Sequence, residues 1–320
     1  MMEPMRIPVT PDQVGARLDL FLTERVPQWS RSRLQALIKA GGVRLDEDVV
    51  QRPGTRLFAD QVVHFELPEL APPTDPEGGA IVELPVLYSD EHIALVNKPA
   101  GLLSHANDRS QRETVVTMAE DVLGPLAPTE DPRRRGVVHR LDRMTSGVMI
   151  IARTPQAMEG MQARFADREV QKTYLALVHH HPRFKSEMVD APIEVDPKHH
   201  QKRRVASEGM GRPASTLTET LELFHGHALV AAYPHTGRTH QVRVHLTHIG
   251  HPIVGDPQYT QRGAISQPIP KDAPLPRRQC LHASKICFEH PVTGEAIIGE
   301  APIADDFATL LDWMRVNMAP

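Results

Sequence analysis

Asp142 is a carboxylate set among potential cations. It follows His139 and Arg140 and precedes Arg143, and no other acid occurs between Asp131 and Glu159. Neighbouring positive charge favours the ionised carboxylate, so this position can supply a nucleophile or a base. Arg238 is the second such position. The spacing of Val242, Leu246 and Ile249 predicts a helix from Thr239 that Gly250 stops. Arg238 then lies at the helix N-terminus, where the dipole disfavours a cation by roughly 0.3–1 kcal/mol. A cation there calls for an anionic partner, and Asp142 is the candidate.

The elements around Asp142 read as strand, loop, strand. Val137-Val138 and Val148 to Ala152 are apolar and β-branched and flank the polar insert, so a rigid scaffold presents one acid on a loop. The competing reading is a surface turn with an ion pair, since Asp, Thr, Ser and Gly are ordinary turn residues. Thr154-Pro155 then opens a helix with cap and first-turn proline, whose buried face carries Ala157, Met161 and Phe165. In the strand Val170 to Val178, alternation puts Lys172 and Tyr174 on one face and Thr173, Leu175 and Leu177 on the other. Strands Ala214 to Phe224 and Ala228 to Tyr233 lead to Arg238. Upstream, Ile93 to Val96 reads as a buried strand entering the turn Asn97-Lys98-Pro99-Ala100-Gly101, and Thr114 to Leu123 as a helix. Phe307 to Met318 looks like a terminal helix.

The first 67 residues have a different organisation. Leu18, Phe21 and Leu22 lie at helical spacing, and Leu34, Leu37 and Ile38 repeat the pattern after Pro27. Ser30 is a natural N-cap and Gly41-Gly42 a natural stop. Arg31, Gln35 and Lys39 make a polar, partly basic stripe opposite the apolar one. Val43 to Leu45, Val49-Val50 and Val62 to Phe65 read as short strands. Pro68 to Gly79 is Pro- and Gly-rich, acidic and without periodicity, as a semi-extended linker would be. The expected domains are therefore 1–67 and 81–320, joined by 68–80.

Composition narrows the function. At 320 residues with 40% hydrophobic the chain exceeds one average domain and can bury a core. Lys+Arg number 36 against Asp+Glu 40, a net charge of −4 that shows no global basic field for nucleic acid. Basic residues instead concentrate between Pro197 and Arg212, where Lys198, Lys202, Arg203, Arg204 and Arg212 form either a phosphate-contacting loop or a solvated charge run. Two cysteines, Cys280 and Cys287, are too few for a disulfide framework or a Cys-based zinc site and fit a reducing compartment. No signal-peptide core and no long apolar run occur, so a soluble cytoplasmic protein is expected, with no membrane partner. The 18 histidines lack metal-ligand spacing: His240 and His245 are five apart and there is no His-Glu-x-x-His, so no metal is expected. A glycoside hydrolase would need a second carboxylate beside Asp142.

Five stretches in order resemble the motifs of the RluA/RluD family of pseudouridine synthases. They are Asn97-Lys98-Pro99-Ala100-Gly101-Leu102, His139-Arg140-Leu141-Asp142-x-x-Thr145-Ser146-Gly147, Lys172-x-Tyr174-x-Ala176-Leu177-Val178, Gly237-Arg238-Thr239-His240-Gln241-x-Arg243-x-His245, and the closing segments around Arg278 to Ala283 and Phe288 to Glu295. Residues 1–67 resemble the S4-like RNA-binding domain that often precedes the synthase domain there. The resemblance implies an α+β fold. Its catalytic domain would be built on a mixed, mainly antiparallel sheet, preceded by a small α/β RNA-binding domain. The activity implied is isomerisation of uridines to pseudouridine in structured RNA, foremost large-subunit ribosomal RNA. Transfer RNA is the alternative target, and a non-catalytic RNA-binding or ribosome-associated protein the reading from another class.

The resemblance casts Asp142 as the catalytic residue, Tyr174 against the target uracil and Arg238 as the partner of Asp142. Arg140 would fill the space a flipped uridine leaves. Arg31, Arg33, Lys39, Lys98, Lys202, Arg203 and Arg204 are the expected RNA contacts. An isomerisation has no redox change, so no cofactor is expected, and the protein is expected to act as a monomer. Three roles are open to Asp142: attack on C1′, removal of a ribose proton, or addition to the uracil ring. Two stretches depart from the family pattern. The turn after Val43-Arg44-Leu45 is acidic, Asp46-Glu47-Asp48, and Leu102-Leu103-Ser104-His105-Ala106 stands where the family continues toward Val-His-Pro, so that loop is expected to be shaped differently.

Overall fold

The computed structural model describes residues 5–26, 34, 37–38, 41–46, 48–59, 61–65, 83–106, 113–207, 209–259 and 268–319. Arg31, Arg33, Lys39, Glu47 and the linker 68–80 lie outside the described residues. The chain divides into two units, a smaller one containing residues 5–65 and a larger one formed from 83–105 and 113–319.

In the smaller unit, β1 (Met5–Pro8), β2 (Val43–Leu45), β3 (Asp48–Val49) and β4 (Val62–Phe65) form an antiparallel sheet in the order β1-β4-β2-β3. Helix α1 (Leu18–Arg25) buries Leu18, Phe21 and Leu22 in one core with Leu34, Ile38, Val43 and Val63. The two expected apolar stripes are thus buried together. Asp46 takes φ 54° in the tight turn, a conformation Asp tolerates. Its Oδ1 accepts the Val62 N–H, so this acid of the turn is used within the fold.

The larger unit is built on a nine-stranded sheet. Its path is β5 (Val86–Ser89), β6 (Ile93–Lys98), β7 (Ser146–Ala152), β14 (Leu281–Glu289), β8 (Gln171–His179), β13 (His227–Pro234), β12 (Ser215–Phe224), β9 (Ser186–Asp190), with β15 (Ala296–Glu300) on β14. The β7–β14 pair is parallel and the other pairs of the sheet antiparallel, the mixed sheet the resemblance implied. Every residue of β7 is buried, which is why its sequence is a continuous apolar run rather than an alternating one. Gly147 has φ 118°, and a Cβ there would stand 2.1 Å from the Ala283 carbonyl oxygen, so the glycine of the Thr-Ser-Gly run lets β7 approach β14.

Four α-helices complete this unit among the described residues: α2 (Val115–Leu123), α3 (Pro155–Ala166), α4 (Gln241–His248) and α5 (Asp305–Asn317). Thr114 and Thr154 cap α2 and α3 by accepting the N–H groups of Thr117 and Ala157. Leu177, Val230, Leu246, Leu281 and Phe307 form one core cluster and Ile93, Ile150, Met161 and Phe288 another. No helix of the described residues is long and apolar enough to cross a membrane.

Two elements differ from expectation. Val137-Val138 does not form a strand: Val137 makes one bridge to Ile151, and His139 Nε2 then accepts the Ile150 N–H at 2.9 Å, ending the pairing with a side chain. Helix α4 begins two residues late, because His240 is left-handed at φ 58° and the Gln241 Oε1 accepts the Arg238 N–H at 3.0 Å.

Candidate active site

The loop from His139 to Thr145 opens onto a cleft of about 370 Å³ in the larger unit. Both neighbours of Asp142 are pinned to the turn that follows β6. Ser104 Oγ donates to the Leu141 carbonyl at 3.0 Å and accepts the Leu141 N–H at 3.1 Å. Lys98 Nζ donates to the carbonyls of Pro99, Leu102 and Arg143 at 2.8, 2.9 and 3.0 Å, and the Gly101 N–H reaches the same Arg143 carbonyl at 2.9 Å. The expectation that Lys98 contacts phosphate is corrected: it is fully buried, with its three ammonium protons taken by backbone. Burial lowers its pKa to about 7, with the Asp142 charge opposing. The Asn-Lys-Pro-Ala-Gly turn therefore braces the Asp142 loop. Ser104, in the stretch that departs from the family pattern, is the residue that grips Leu141.

Asp142 has a different partner from the one expected. Its Oδ2 accepts from Arg243 Nη1 at 3.0 Å, and its side chain is 18% exposed. Arg243 is anchored from below by Asp256, which takes Nε at 2.7 Å and Nη2 at 3.0 Å and also accepts the N–H groups of Gln258 and Tyr259. Gln258 Oε1 accepts the remaining reach of Nη2 at 3.1 Å, and the guanidinium lies 4.8 Å from the centre of the Tyr259 ring. Burial works against the charge of Arg243, but the hydrogen bond and charge of Asp256, with those of Asp142, outweigh it and hold the guanidinium above its ordinary range. Arg238 is half-buried on the cleft wall and donates Nε to the Pro213 carbonyl at 3.1 Å. Its expected pairing with Asp142 is thus corrected. The start of a helix disfavours a cation by too little to demand a carboxylate, because one backbone carbonyl and partial access to water suffice.

The other walls of the cleft come from α3, β8 and the segment before α4. Tyr174 lines it, and its phenol is pushed well above its usual range by burial and then by the charge of Asp142. It is a neutral hydroxyl and ring face near the carboxylate, suited to stacking or donation rather than to acting as a base. His139, expected as a cation, is neutral: burial, then Lys172, takes it to about 3, and its ring lies 4.9 Å from that of Phe165. His240 hydrogen-bonds the Tyr259 hydroxyl through Nδ1 at 2.7 Å and holds Nε2 3.9 Å from Asp142, with burial lowering its pKa against the pull of that carboxylate. Arg140 is exposed at the rim.

The basic stretch is a β-hairpin, β10 (Ile193–Val195) with β11 (Arg203–Val205). Lys202 Nζ donates to the Gln258 carbonyl at 2.9 Å and the Arg203 N–H to the Tyr259 hydroxyl at 2.8 Å. Arg203 Nη1 is used on the carbonyls of His200 and Lys202. These two residues brace the segment beneath Arg243. Arg204 is exposed but paired with Glu194 at 2.8 Å. Asp256, Gln258, Tyr259 and Ser104 carry no signal in the sequence that would have placed them here. Arg243 lay within a recognised motif.

The chain matches the family model for RNA pseudouridylate synthase over residues 92–248 and that for the S4 domain over 16–63. It is 37% identical to ribosomal large subunit pseudouridine synthase D of Xanthomonas campestris, over 98% of this chain and 94% of the relative. It is 31% identical to the protein of the same name from Zymomonas mobilis, over 98% of both. Among solved structures, human RNA pseudouridylate synthase domain containing 4 is similar with a TM-score of 0.57 and 25% identity, over 72% of this chain and 92% of that one.

Proposed function

The chain belongs to the RNA pseudouridylate synthase family, and from that premise we propose that it converts particular uridines of large-subunit ribosomal RNA to pseudouridine, with Asp142 as the catalytic carboxylate. The observation that carries the assignment of the residue is the Asp142–Arg243 contact at 3.0 Å in the cleft. The choice of RNA is supported by the names of the relatives that align along nearly the whole chain, and by the S4 match, which supports recognition of structured RNA.

The reaction breaks the uridine N1–C1′ bond, turns the uracil and joins C5 to C1′. A stacked base cannot present these atoms, so the uridine must leave the helix and enter the cleft. Whichever of the three roles Asp142 takes, its carboxylate has to be fixed in direction, and the hydrogen bond from Arg243 does this. Tyr174 offers a ring face to the uracil and a hydroxyl that stays protonated. Arg140 at the rim is positioned to replace the departed base. The residues lining the cleft all come from one chain, which fits a monomeric enzyme, and a ribosomal RNA substrate fits work in the cytoplasm.

Pseudouridine formation releases the C5 proton, so tritium release from 5-tritiated uridine in transcripts reports it. Large-subunit ribosomal RNA should release tritium with the wild-type protein and transfer RNA should not. Release from transfer RNA alone would overturn the choice of substrate.

A further inference from the structure

Lys172 projects from β8 on the same face as Tyr174 and lines the same cleft. Among the described residues it has no carboxylate partner. Its Nζ lies 3.4 Å from the Thr236 carbonyl, a long contact, and 5.9 Å from the centre of the Phe165 ring. The other positive groups around the cleft are spoken for. Arg243 is divided between Asp256 and Asp142, burial keeps His139 and His240 neutral, Arg140 is exposed, where water screens it, and the half-buried Arg238 turns its Nε to the Pro213 carbonyl. A half-buried ammonium with donors left over is costly unless something in the cleft accepts from it.

The reaction supplies such an acceptor. When N1–C1′ breaks heterolytically both electrons stay on N1, and the ring spreads that charge onto O2 and O4. C1′ is meanwhile taken by an Asp142 oxygen, or its C2′ proton passes to Asp142 to leave a glycal. C5 then bonds to C1′, displacing the Asp142 oxygen on the first route, while on the glycal route C2′ recovers its proton from Asp142, and the C5 proton leaves to solvent. We propose that Lys172 is a further catalytic residue, which donates hydrogen bonds to the carbonyl oxygens of the detached uracil and holds its negative charge while the ring turns. Lys172 keeps its proton throughout. An ammonium on a four-carbon stem, with three rotatable donors, can follow a turning ring where a fixed fork would not. Burial lowers its pKa only to about 8, so it remains mostly charged at neutral pH.

This rests on the reading of Asp142 given above, and the test separates the two. Single-turnover rates are measured for wild type, Lys172→Met, Lys172→Arg and Asp142→Asn on RNA carrying uridine or 5-fluorouridine at the target, the rearranged nucleoside being separated by chromatography after digestion. Fluorine withdraws electrons and stabilises the uracil anion unaided. Lys172→Met should slow uridine turnover by about 10²-fold with KM within a few-fold, its defect should shrink by at least about tenfold on 5-fluorouridine, and Lys172→Arg should recover much of the loss. An equal defect on both substrates would mean a structural role, and a wild-type rate in Lys172→Met with Asp142→Asn inactive would remove Lys172 alone. Turnover by Asp142→Asn would instead bring down the reading of the cleft.

Discussion

Arg243 Nη1 stands 3.0 Å from Asp142 Oδ2, joining residues 101 positions apart in the chain. The contact is one step in a chain of support: Asp256 fixes two nitrogens of the guanidinium, and the guanidinium fixes Asp142. The planar fork of an arginine suits this double duty, since its donors leave in set directions and can grip one carboxylate while orienting another.

Arg243 and Arg238 should therefore behave differently when altered. Arg243→Gln leaves Asp142 unoriented and Asp256 buried without its partner, so kcat should fall by about 10²-fold or more and stability by about 3–5 kcal/mol. Arg238→Gln removes a half-buried group on the cleft wall that does not touch Asp142, and its effect should appear in KM with kcat within a few-fold. Steady-state kinetics on the same RNA decide this. Equal losses of kcat in the two variants would contradict the pairing.

Ser104→Ala tests the brace on the other side of the carboxylate. It strips the buried Leu141 N–H and carbonyl of their partner, at a cost of about 1–3 kcal/mol. Urea unfolding should show that loss, and kcat should drop more than KM rises because Asp142 follows directly in the chain. A variant with unchanged unfolding and unchanged kcat would show that Ser104 does not position the loop.

Away from the cleft, buried histidines predict acid sensitivity. The His179 and His227 rings lie 5.0 Å apart, and His179 Nδ1 and His227 Nε2 have no hydrogen-bond partner among the described residues. Burial, followed by the neighbouring His227, lowers His179 to about 4, and burial also lowers His227 and His251. A proton then binds the unfolded chain more tightly than the folded one, so stability is full above the ordinary histidine value near 6.5 and declines as pH falls from there toward about 4. Urea midpoints at pH 7.5, 6 and 5 should fall in that order, and His179→Gln should flatten the decline. A midpoint that is level across this range would refute the account.

Much of this was legible in the sequence, and the misses share one cause. The apolar run of β7, the capped helix after Thr154 and the paired apolar stripes of the first unit are local patterns, and each folds as its spacing indicates. Arg243 was harder. In α4 both the polar Gln241, Arg243 and His245 and the apolar Val242, Val244 and Leu246 are buried, so no periodicity separates an inward arginine from an outward one. The sequence shows the charge of Lys98 but not the three backbone carbonyls that take its protons. Ser104 and Asp256 act through the fold alone, on neighbours distant in the chain.

The most direct test of the account is pseudouridine mapping of total RNA from cells lacking the gene, complemented with wild type or with Asp142→Asn. Particular sites in large-subunit ribosomal RNA should lose the modification and regain it only with wild type. Restoration of those sites by Asp142→Asn, or an unchanged map in the deletion strain, would contradict it.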